Sequence, residues 1–322
     1  MVDTDAVTVH PHGLLLKPYL RENRVAIHKT TNPGRDGAGL RSIVAPSVVR
    51  ATVPGDLEVK LLTVVPWIAG LNDPIPAKRA RRAIELIAYL AVHRPDPVSG
   101  DRLRTRVLGS PELDAAAKTL FNTVGAARRA LGYDKDGRLY LPNASRRGHY
   151  EISDLISVDV SRAVDLIGSA KTTGTVEEAL ALYRCAFELI VGEPLGGVLS
   201  GYSWWRSEGH EARLTTALVG AACKAVRLAI DAQLLELASW VLDRARLVDP
   251  YGEVLSRAAM TTAAASGDRP RLRREWDECR RRVSELDADA VPSPESRNLF
   301  ERLSTDPVAS VQASLAAIED AP

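Results

Sequence analysis

The last third of the chain carries an internal repeat, which constrains the fold more than any other feature of the sequence. The segment AVRLAIDAQLLELASWVLDRARLVDP, which starts at residue 225, aligns with TTAAASGDRPRLRREWDECRRRV after a shift of 36 residues. Trp240 then matches Trp276, and the turn at Asp231 matches Gly267. Each copy has the pattern of a helix, a turn and a second helix. Such units bury their apolar faces only by stacking on one another.

Further helical patterns follow one another with short breaks after residue 153. The predicted helices lie near residues 159–168, 176–191, 203–230, 233–248, 252–266, 270–286 and 293–304. A helix–turn–helix unit of about 34 residues is the tetratricopeptide period. The sequence therefore predicts an α-helical, tetratricopeptide-like repeat domain in the C-terminal half of the chain.

A different order of elements precedes the repeats. From residue 57, LEVKLLTVV alternates like a short β-strand, and AKRARRAIELIAYLAVH then has the apolar spacing of a helix. Ser99 can cap a second helix, GDRLRTRVL, and Ser110 before Pro111 starts a third helix that reaches Leu131. LYLPNASRRGHYEIS has the pattern of a strand, a turn over residues 143–148 and a strand. Strands, three helices and a hairpin in this order predict a winged helix-turn-helix.

The predicted fold class is therefore mainly α. A winged helix-turn-helix, made of three helices with small antiparallel β elements, is followed by a tetratricopeptide-like repeat domain. We place the winged helix at residues 56–152, the repeat domain at 153–306 and a flexible tail at 307–322. Residues 1–55 have recurring Pro and Gly, which predicts either an N-terminal arm or a small irregular β segment.

Charge is distributed unevenly along a chain whose formal net charge is only +1. Residues 78–152 contain 15 Lys and Arg against 8 Asp and Glu, whereas residues 153–322 contain 19 against 26. A basic segment followed by an acidic one predicts that the middle domain faces an anion and that the C-terminal domain does not.

The third predicted helix contains KTLFNTVGAARRALG, residues 118–132, and its two faces differ in chemistry. The apolar face is formed by Leu120, Phe121, Val124, Ala127 and Leu131. The polar face carries Lys118, Thr119, Asn122 and Arg129, with the small residues Gly125 and Ala126 among them. This pattern fits a helix that lies in the major groove of DNA, and it also fits a core helix with a solvated back.

Together these segments resemble the Streptomyces antibiotic regulatory protein (SARP) family of transcriptional activators, whose second half is called the bacterial transcriptional activation domain. The similar segments span roughly residues 57–304 and are VSGDRLRTRVL, KTLFNTVGAARRALG, RRGHYEI, ALALYRCAFELIVGEPLGGV and WVLDRARLVDPYGE. The resemblance implies a response-regulator-type winged helix whose third helix enters the major groove of double-stranded DNA. It also implies a homodimer on direct repeats and contact of the repeat domain with RNA polymerase or another protein.

Carried over by position, the resemblance assigns DNA-binding roles to residues of the third helix and the wing. The implied groove-facing residues are Lys118, Thr119, Asn122, Thr123 and Arg129. Arg128 is implied to be a phosphate or packing contact, and the implied wing-tip contacts are Arg146 and Arg147. The family commonly has a basic residue where this chain has Ala126, and a hydroxyl-bearing or larger residue where it has Gly125. A second function therefore stays open: a signalling or scaffold module with a degenerate winged helix, which acts through protein contacts of its repeats.

The sequence predicts no enzyme. It has no G-x-S-x-G, Walker A or H-E-x-x-H motif and no Cys/His constellation. We expect no cofactor and no metal, with free buried thiols at Cys185, Cys223 and Cys279 and surface histidines at His10, His12 and His28. The N-terminus lacks the pattern of a signal peptide and no apolar run is long enough for a bilayer, which predicts a cytoplasmic chain without membrane insertion.

Overall fold

Two short strands open the part of the chain that the computed structural model describes, which comprises residues 57–71, 74–109 and 113–319. β1 (Leu57–Lys60) pairs antiparallel with β2 (Trp67–Ala69), and it pairs in parallel with β5 (Ile156–Val158). Val59 is buried between Ile68 and Val158, its partners on the two neighbouring strands. The strand order β2–β1–β5 brings residues that the sequence assigned to the repeat domain into the sheet of the winged helix.

Three helices form the body of the winged helix: α1 (Ala77–Val92), α2 (Gly100–Arg106) and α3 (Leu113–Leu131). α1 and α2 each pack against α3, and Leu86, Leu103 and Leu120 are buried in their common core. Ser99 caps α2 as predicted, because its side chain accepts a hydrogen bond from the N–H of Arg102 at 3.2 Å. This bond satisfies one of the free donors at the start of α2 and so fixes where the helix begins.

The wing pairs differently from the predicted hairpin. β4 (His149–Tyr150) pairs with β3 (Val98–Ser99), which lies directly before α2, and not with the segment around Leu139. Leu139 instead forms a single bridge with Tyr133. The turn signals at residues 143–148 are local and indicate only that the chain reverses. These turn signals cannot indicate that β4 pairs with β3, because β3 lies before α2 and α3 in the sequence.

The repeat domain consists of helices joined by short connections. These helices are α4 (Asp159–Thr172), α5 (Val176–Glu188), α6 (Ser203–Ser207), α7 (His210–Asp231), α8 (Leu235–Ala245), α9 (Glu253–Ala265), α10 (Arg269–Leu286), α11 (Pro294–Thr305) and α12 (Pro307–Glu319). The helix predicted at 203–230 is interrupted at Gly209, whose φ is 75°. α4 packs with α5, α7 with α8 and α9 with α10, so the predicted pairing of helices is present. Among the described helices, none combines the length and the apolar character needed to cross a bilayer.

The internal repeat is present, but its shift is 34 residues and not 36. Gln233 and Gly267 both have left-handed backbone, with φ of 59° and 71°. In each unit the next N–H, that of Leu234 or Asp268, bonds to a carbonyl five residues earlier. This is the Schellman geometry that ends many helices. The two tryptophans that suggested the 36-residue shift are therefore not equivalent in the two units.

Residues 307–319 form α12, where the sequence predicted a flexible tail. Ser310 and Val311 are buried, because α12 packs against α7, α9 and α11. The prediction is wrong over this helix because the segment PVASVQASLAAIE gave little helical spacing of large apolar residues. The position of α12 depends on its packing against helices that are distant in the sequence.

The cysteines are free, as the sequence predicted. Cys223 and Cys279 are buried and Cys185 is half-buried. Burial raises the pKa of all three thiols, which disfavours the reactive thiolate. The predictions for residues 1–55, including the three N-terminal histidines, fall outside the described residues.

A junction of polar and aromatic side chains joins α1 to the segment around α6. Glu85 on α1 accepts a hydrogen bond from the backbone N–H of Tyr202 at 2.5 Å, and Arg81 donates to a backbone carbonyl of the same segment at 2.9 Å. Burial raises the pKa of Glu85, against the hydrogen bond from Tyr202 and the charge of Arg81. Trp204 is fully buried and packs edge-on against Tyr89, with ring centroids 4.9 Å apart.

Asp159 ties the start of α4 to the end of β1. Its carboxylate accepts hydrogen bonds from the backbone N–H groups of Leu61 at 2.9 Å and Leu62 at 3.0 Å, and the side chain is almost completely buried. Burial raises the pKa of Asp159 to about 6, against these hydrogen bonds and the charge of Lys60. The folded protein therefore binds a proton here at a pH where the unfolded chain has released it.

This raised pKa predicts a stability that falls as the pH rises. Below about pH 3 the carboxyl is protonated in both states, and between about pH 4 and pH 6 the folded state keeps a proton that the unfolded state loses. The difference in free energy of unfolding between the wild type and Asp159→Asn should fall by about 3 kcal/mol from about pH 3 to about pH 7. Urea unfolding at a series of pH values measures it. A difference that stays flat or grows with pH contradicts the assignment.

Candidate nucleic-acid interface

The inner face of α3 anchors the helix in the core of the winged helix. Leu120, Val124, Ala127 and Leu131 are buried, as their helical spacing predicted. Phe121 is an exception: the sequence placed it on this face, but its side chain is 77% exposed. The apolar stripe is therefore narrower than the sequence indicated, and an aromatic ring lies on the outer surface of α3.

The outer face of α3 carries Lys118, Asn122 and Arg129, all exposed as predicted. They lie on one side of the helix, because their spacing of four and seven residues follows the helical period. Within the described residues, none of these three side chains has a hydrogen bond or an ion pair. Their donors and charges are therefore directed to solvent and are available to a ligand.

Two predictions for α3 fail because of the phase of the helix. Thr123 was predicted to face the groove, but it is buried, and its hydroxyl donates to the carbonyl of Thr119 at 2.8 Å. Position 123 lies one turn from Leu120 and Ala127, so it faces the core. Ala126, which the sequence placed on the polar face, is buried too. Thr119 itself is half-buried at the edge of the outer face.

Arg128 has a structural contact. Its guanidinium donates from Nε to the carbonyl of Leu141 and from Nη2 to the carbonyl of Pro142, both at 2.8 Å. These bonds fasten the C-terminal end of α3 to the segment that leads into the wing. Of the two roles predicted for Arg128, the geometry therefore favours packing over a phosphate contact.

The wing presents Arg146 and Arg147 on an exposed turn. The turn is closed by hydrogen bonds from Ser145 N to His149 O at 2.8 Å and from Gly148 N to Ser145 O at 2.9 Å. Gly148, whose φ is 72°, also accepts a bond from the N–H at the start of α2 at 3.0 Å. The tip is thus held against α2, while the two arginines have no ion pair with any residue that the structure describes.

The start of α1 adds basic side chains to the same domain. Lys78, Arg79 and Arg82 are exposed, whereas Arg81 is engaged with the segment before α6. Lysine and arginine on an exposed helix are often only solvated. Together with the basic residues of α3 and the wing, they contribute to the excess of positive charge between residues 78 and 152.

Two histidines and a carboxylate also lie close together at the junction between α1 and the segment around α6. No short sequence motif predicted this cluster. The possible ligand atoms of His93, Glu208 and His210 lie within 4.8 Å of one another. His93 Nε2 lies 2.7 Å from the carboxylate, which also accepts a bond from Arg102 at 3.1 Å. Burial raises the pKa of Glu208, but hydrogen bonds from His93 and Tyr89 hold it below its usual value. The groups are of the kind that binds Zn²⁺, but an arginine already neutralises the carboxylate, so we interpret the cluster as part of the junction.

Comparison with known proteins supports the fold. No protein-family model matches the chain, and no curated protein matches its sequence. A solved structure, Mycobacterium tuberculosis EmbR in complex with low affinity phosphopeptide, is similar with a TM-score of 0.58 and 20% sequence identity. The similarity covers 82% of this chain and 70% of that chain. The predicted fold class, mainly helical with a winged helix followed by helical repeats, is confirmed.

Proposed function

We propose that this chain is a DNA-binding transcriptional regulator of SARP type. In this proposal α3 lies in the major groove, the wing contacts the neighbouring backbone, and the repeat domain forms a homodimer or binds a protein such as RNA polymerase. One observation carries the proposal. Five residues, Lys118, Asn122 and Arg129 on α3 and Arg146 and Arg147 on the wing, are exposed, and their side chains make no hydrogen bond or ion pair with the described residues.

The chemistry of these side chains suits double-stranded DNA. Lysine and arginine that neutralise phosphates release condensed counterions, which drives association at low salt. An asparagine in the major groove can form two hydrogen bonds with the edge of adenine. The basic side chains would then supply most of the affinity, and Asn122 would supply part of the sequence preference.

The negative charge of the repeat domain supports separate roles for the two domains, with DNA bound by the winged helix and protein bound by the repeats. Its excess of Asp and Glu repels phosphate, so α4 to α12 are proposed to face protein and not nucleic acid. Such a regulator would act on DNA in the cytoplasm and would need neither a catalytic residue nor a cofactor. The structural similarity to EmbR supports the fold of this chain, and we infer no binding partner from it.

The alternative function rests on Gly125. This residue lies on the outer face of α3 between Asn122 and Arg129, and it offers the groove no side chain. If DNA binding has been lost, the chain is a signalling or scaffold module that acts through protein contacts of its repeats.

A salt titration separates the two functions. Fluorescence anisotropy would measure binding to a random duplex and to a duplex selected from a random library, between 50 and 300 mM salt, about the range in which phosphate contacts change affinity steeply. A DNA-binding regulator should bind both duplexes, prefer the selected duplex and lose affinity steeply as the salt concentration rises. A folded protein that binds neither duplex at the lowest salt supports the scaffold module and overturns the proposal.

Asn122 gives the proposal a prediction at the level of one base pair. Asn122→Ala should cost about 1–3 kcal/mol of binding to the selected duplex and remove the preference at one position. Affinity for the random duplex and the salt slope should stay the same, since an amide neutralises no phosphate. Binding to duplexes with each base pair changed in turn measures this. An equal loss on every duplex means that Asn122 does not read a base.

A further inference from the structure

Phe121 is an exposed aromatic ring on α3, at the edge of the face that carries Lys118, Asn122 and Arg129. Leu120 and Val124 on the inner face of α3 are buried, whereas Phe121 is 77% exposed. One turn further along α3, on the side of Phe121, lies Gly125, and a side chain added there would meet only Arg129, at 3.7 Å. Gly125 itself has no side chain that could cover the ring, and most of Phe121 is exposed to solvent.

An open phenyl ring on this face can be matched to one feature of the major groove. Base edges in that groove present hydrogen-bond donors and acceptors, with a single apolar exception, the C5 methyl group of thymine. Phenylalanine is among the side chains that make apolar contact with that methyl group. Resting on the proposed function, we infer that Phe121 reads a thymine by packing its ring against the C5 methyl group.

The charges around Phe121 favour nucleic acid over a second copy of this chain as its partner. Lys118 lies one turn before Phe121 and Arg129 two turns after it, and both are exposed. Two copies of α3 that met through this ring would bring these positive charges together, which costs free energy. A duplex surrounds the same methyl group with phosphates, so the charges and the ring are satisfied by one ligand.

Replacement of thymine by uracil tests the inference, because it removes the methyl group and leaves every hydrogen-bonding atom in place. In the selected duplex, each thymine would be replaced in turn and binding measured by anisotropy. For the wild type, uracil should weaken binding about fourfold at one or two positions, the factor that corresponds to one buried methyl group. For Phe121→Ala the same replacements should have no effect.

Matched variants control for general effects on the domain. Phe121→Leu keeps an apolar side chain and should keep part of the uracil effect. Tyr133→Ala removes another exposed aromatic residue, just beyond α3, and should keep all of it. Because Phe121 is exposed, its substitution should leave the circular dichroism spectrum and the melting temperature unchanged.

The outcomes distinguish this inference from the proposed function. Failure to bind any duplex overturns the proposed function and the reading by Phe121 with it. Binding in which uracil has no effect, or the same effect in Phe121→Ala, leaves DNA binding in place and overturns the role of Phe121. A change in sedimentation of Phe121→Ala with an unaltered uracil response assigns the ring to a contact between two copies, which also overturns the inference.

Discussion

Replacing Trp204 with alanine should lower the free energy of unfolding by about 3–5 kcal/mol, the usual cost of removing a buried tryptophan. Trp204 is fully buried on α6. Its ring packs edge-on against Tyr89 of α1 and against Trp205, with centroid separations of 4.9 and 5.8 Å. The cavity would therefore open between the winged helix and the repeat domain, where the surrounding helices are fixed by hydrogen bonds to Glu85 and Glu208.

Urea unfolding followed by far-ultraviolet circular dichroism measures this loss. Trp67→Ala is the matched control, because Trp67 on β2 is 49% exposed and its removal should change the free energy of unfolding by less than about 1 kcal/mol. Equal effects of the two substitutions would mean that the contact of Trp204 with Tyr89 does not hold the winged helix against the repeats.

The parts of the fold that depend on local signals could be predicted from the sequence. Helical spacing of apolar residues located α1, α3 and most of the repeat helices, and Ser99 marked the start of α2. Such signals work because a helix is hydrogen-bonded within itself and buries one face. The exposed positions of Lys118, Asn122 and Arg129 followed from the same reasoning.

Other features depend on contacts between distant residues and could not be predicted. Phe121 was predicted to be buried and is exposed, whereas Thr123 was predicted to be exposed and is buried. The spacing of apolar residues alone does not fix where the buried stripe of α3 ends. The pairing of β4 with β3 and the contact of Glu208 with His93 join segments that no motif connects. The 36-residue repeat shift followed a chance match of tryptophans, whereas the chain reversals at Gln233 and Gly267 set the structural period.

Removing the four free cations of the proposed interface should have the largest effect on DNA binding. The variant replaces Lys118, Arg129, Arg146 and Arg147 with alanine. If each neutralises one phosphate, the slope of log affinity against log salt should become shallower by about 3 to 4. At 0.1 M salt the affinity for a random duplex should fall on the order of a thousandfold. The single variants Lys118→Ala and Arg147→Ala should each change the slope by about one, and equally for every sequence.

A second quadruple variant makes this a test of position and not of net charge. Arg269, Arg273, Arg274 and Arg280 are exposed on α10, and their replacement by alanine removes the same four charges from the repeat domain. Long-range attraction to DNA responds to both variants, but it is screened within about 10 Å at 0.1 M salt. Only direct neutralisation of phosphates changes the salt slope strongly. If both variants lose affinity alike and neither changes the slope strongly, the chain is drawn to DNA by its overall field and α3 does not dock. A shallower slope for the α3 and wing variant alone places the phosphates at that surface.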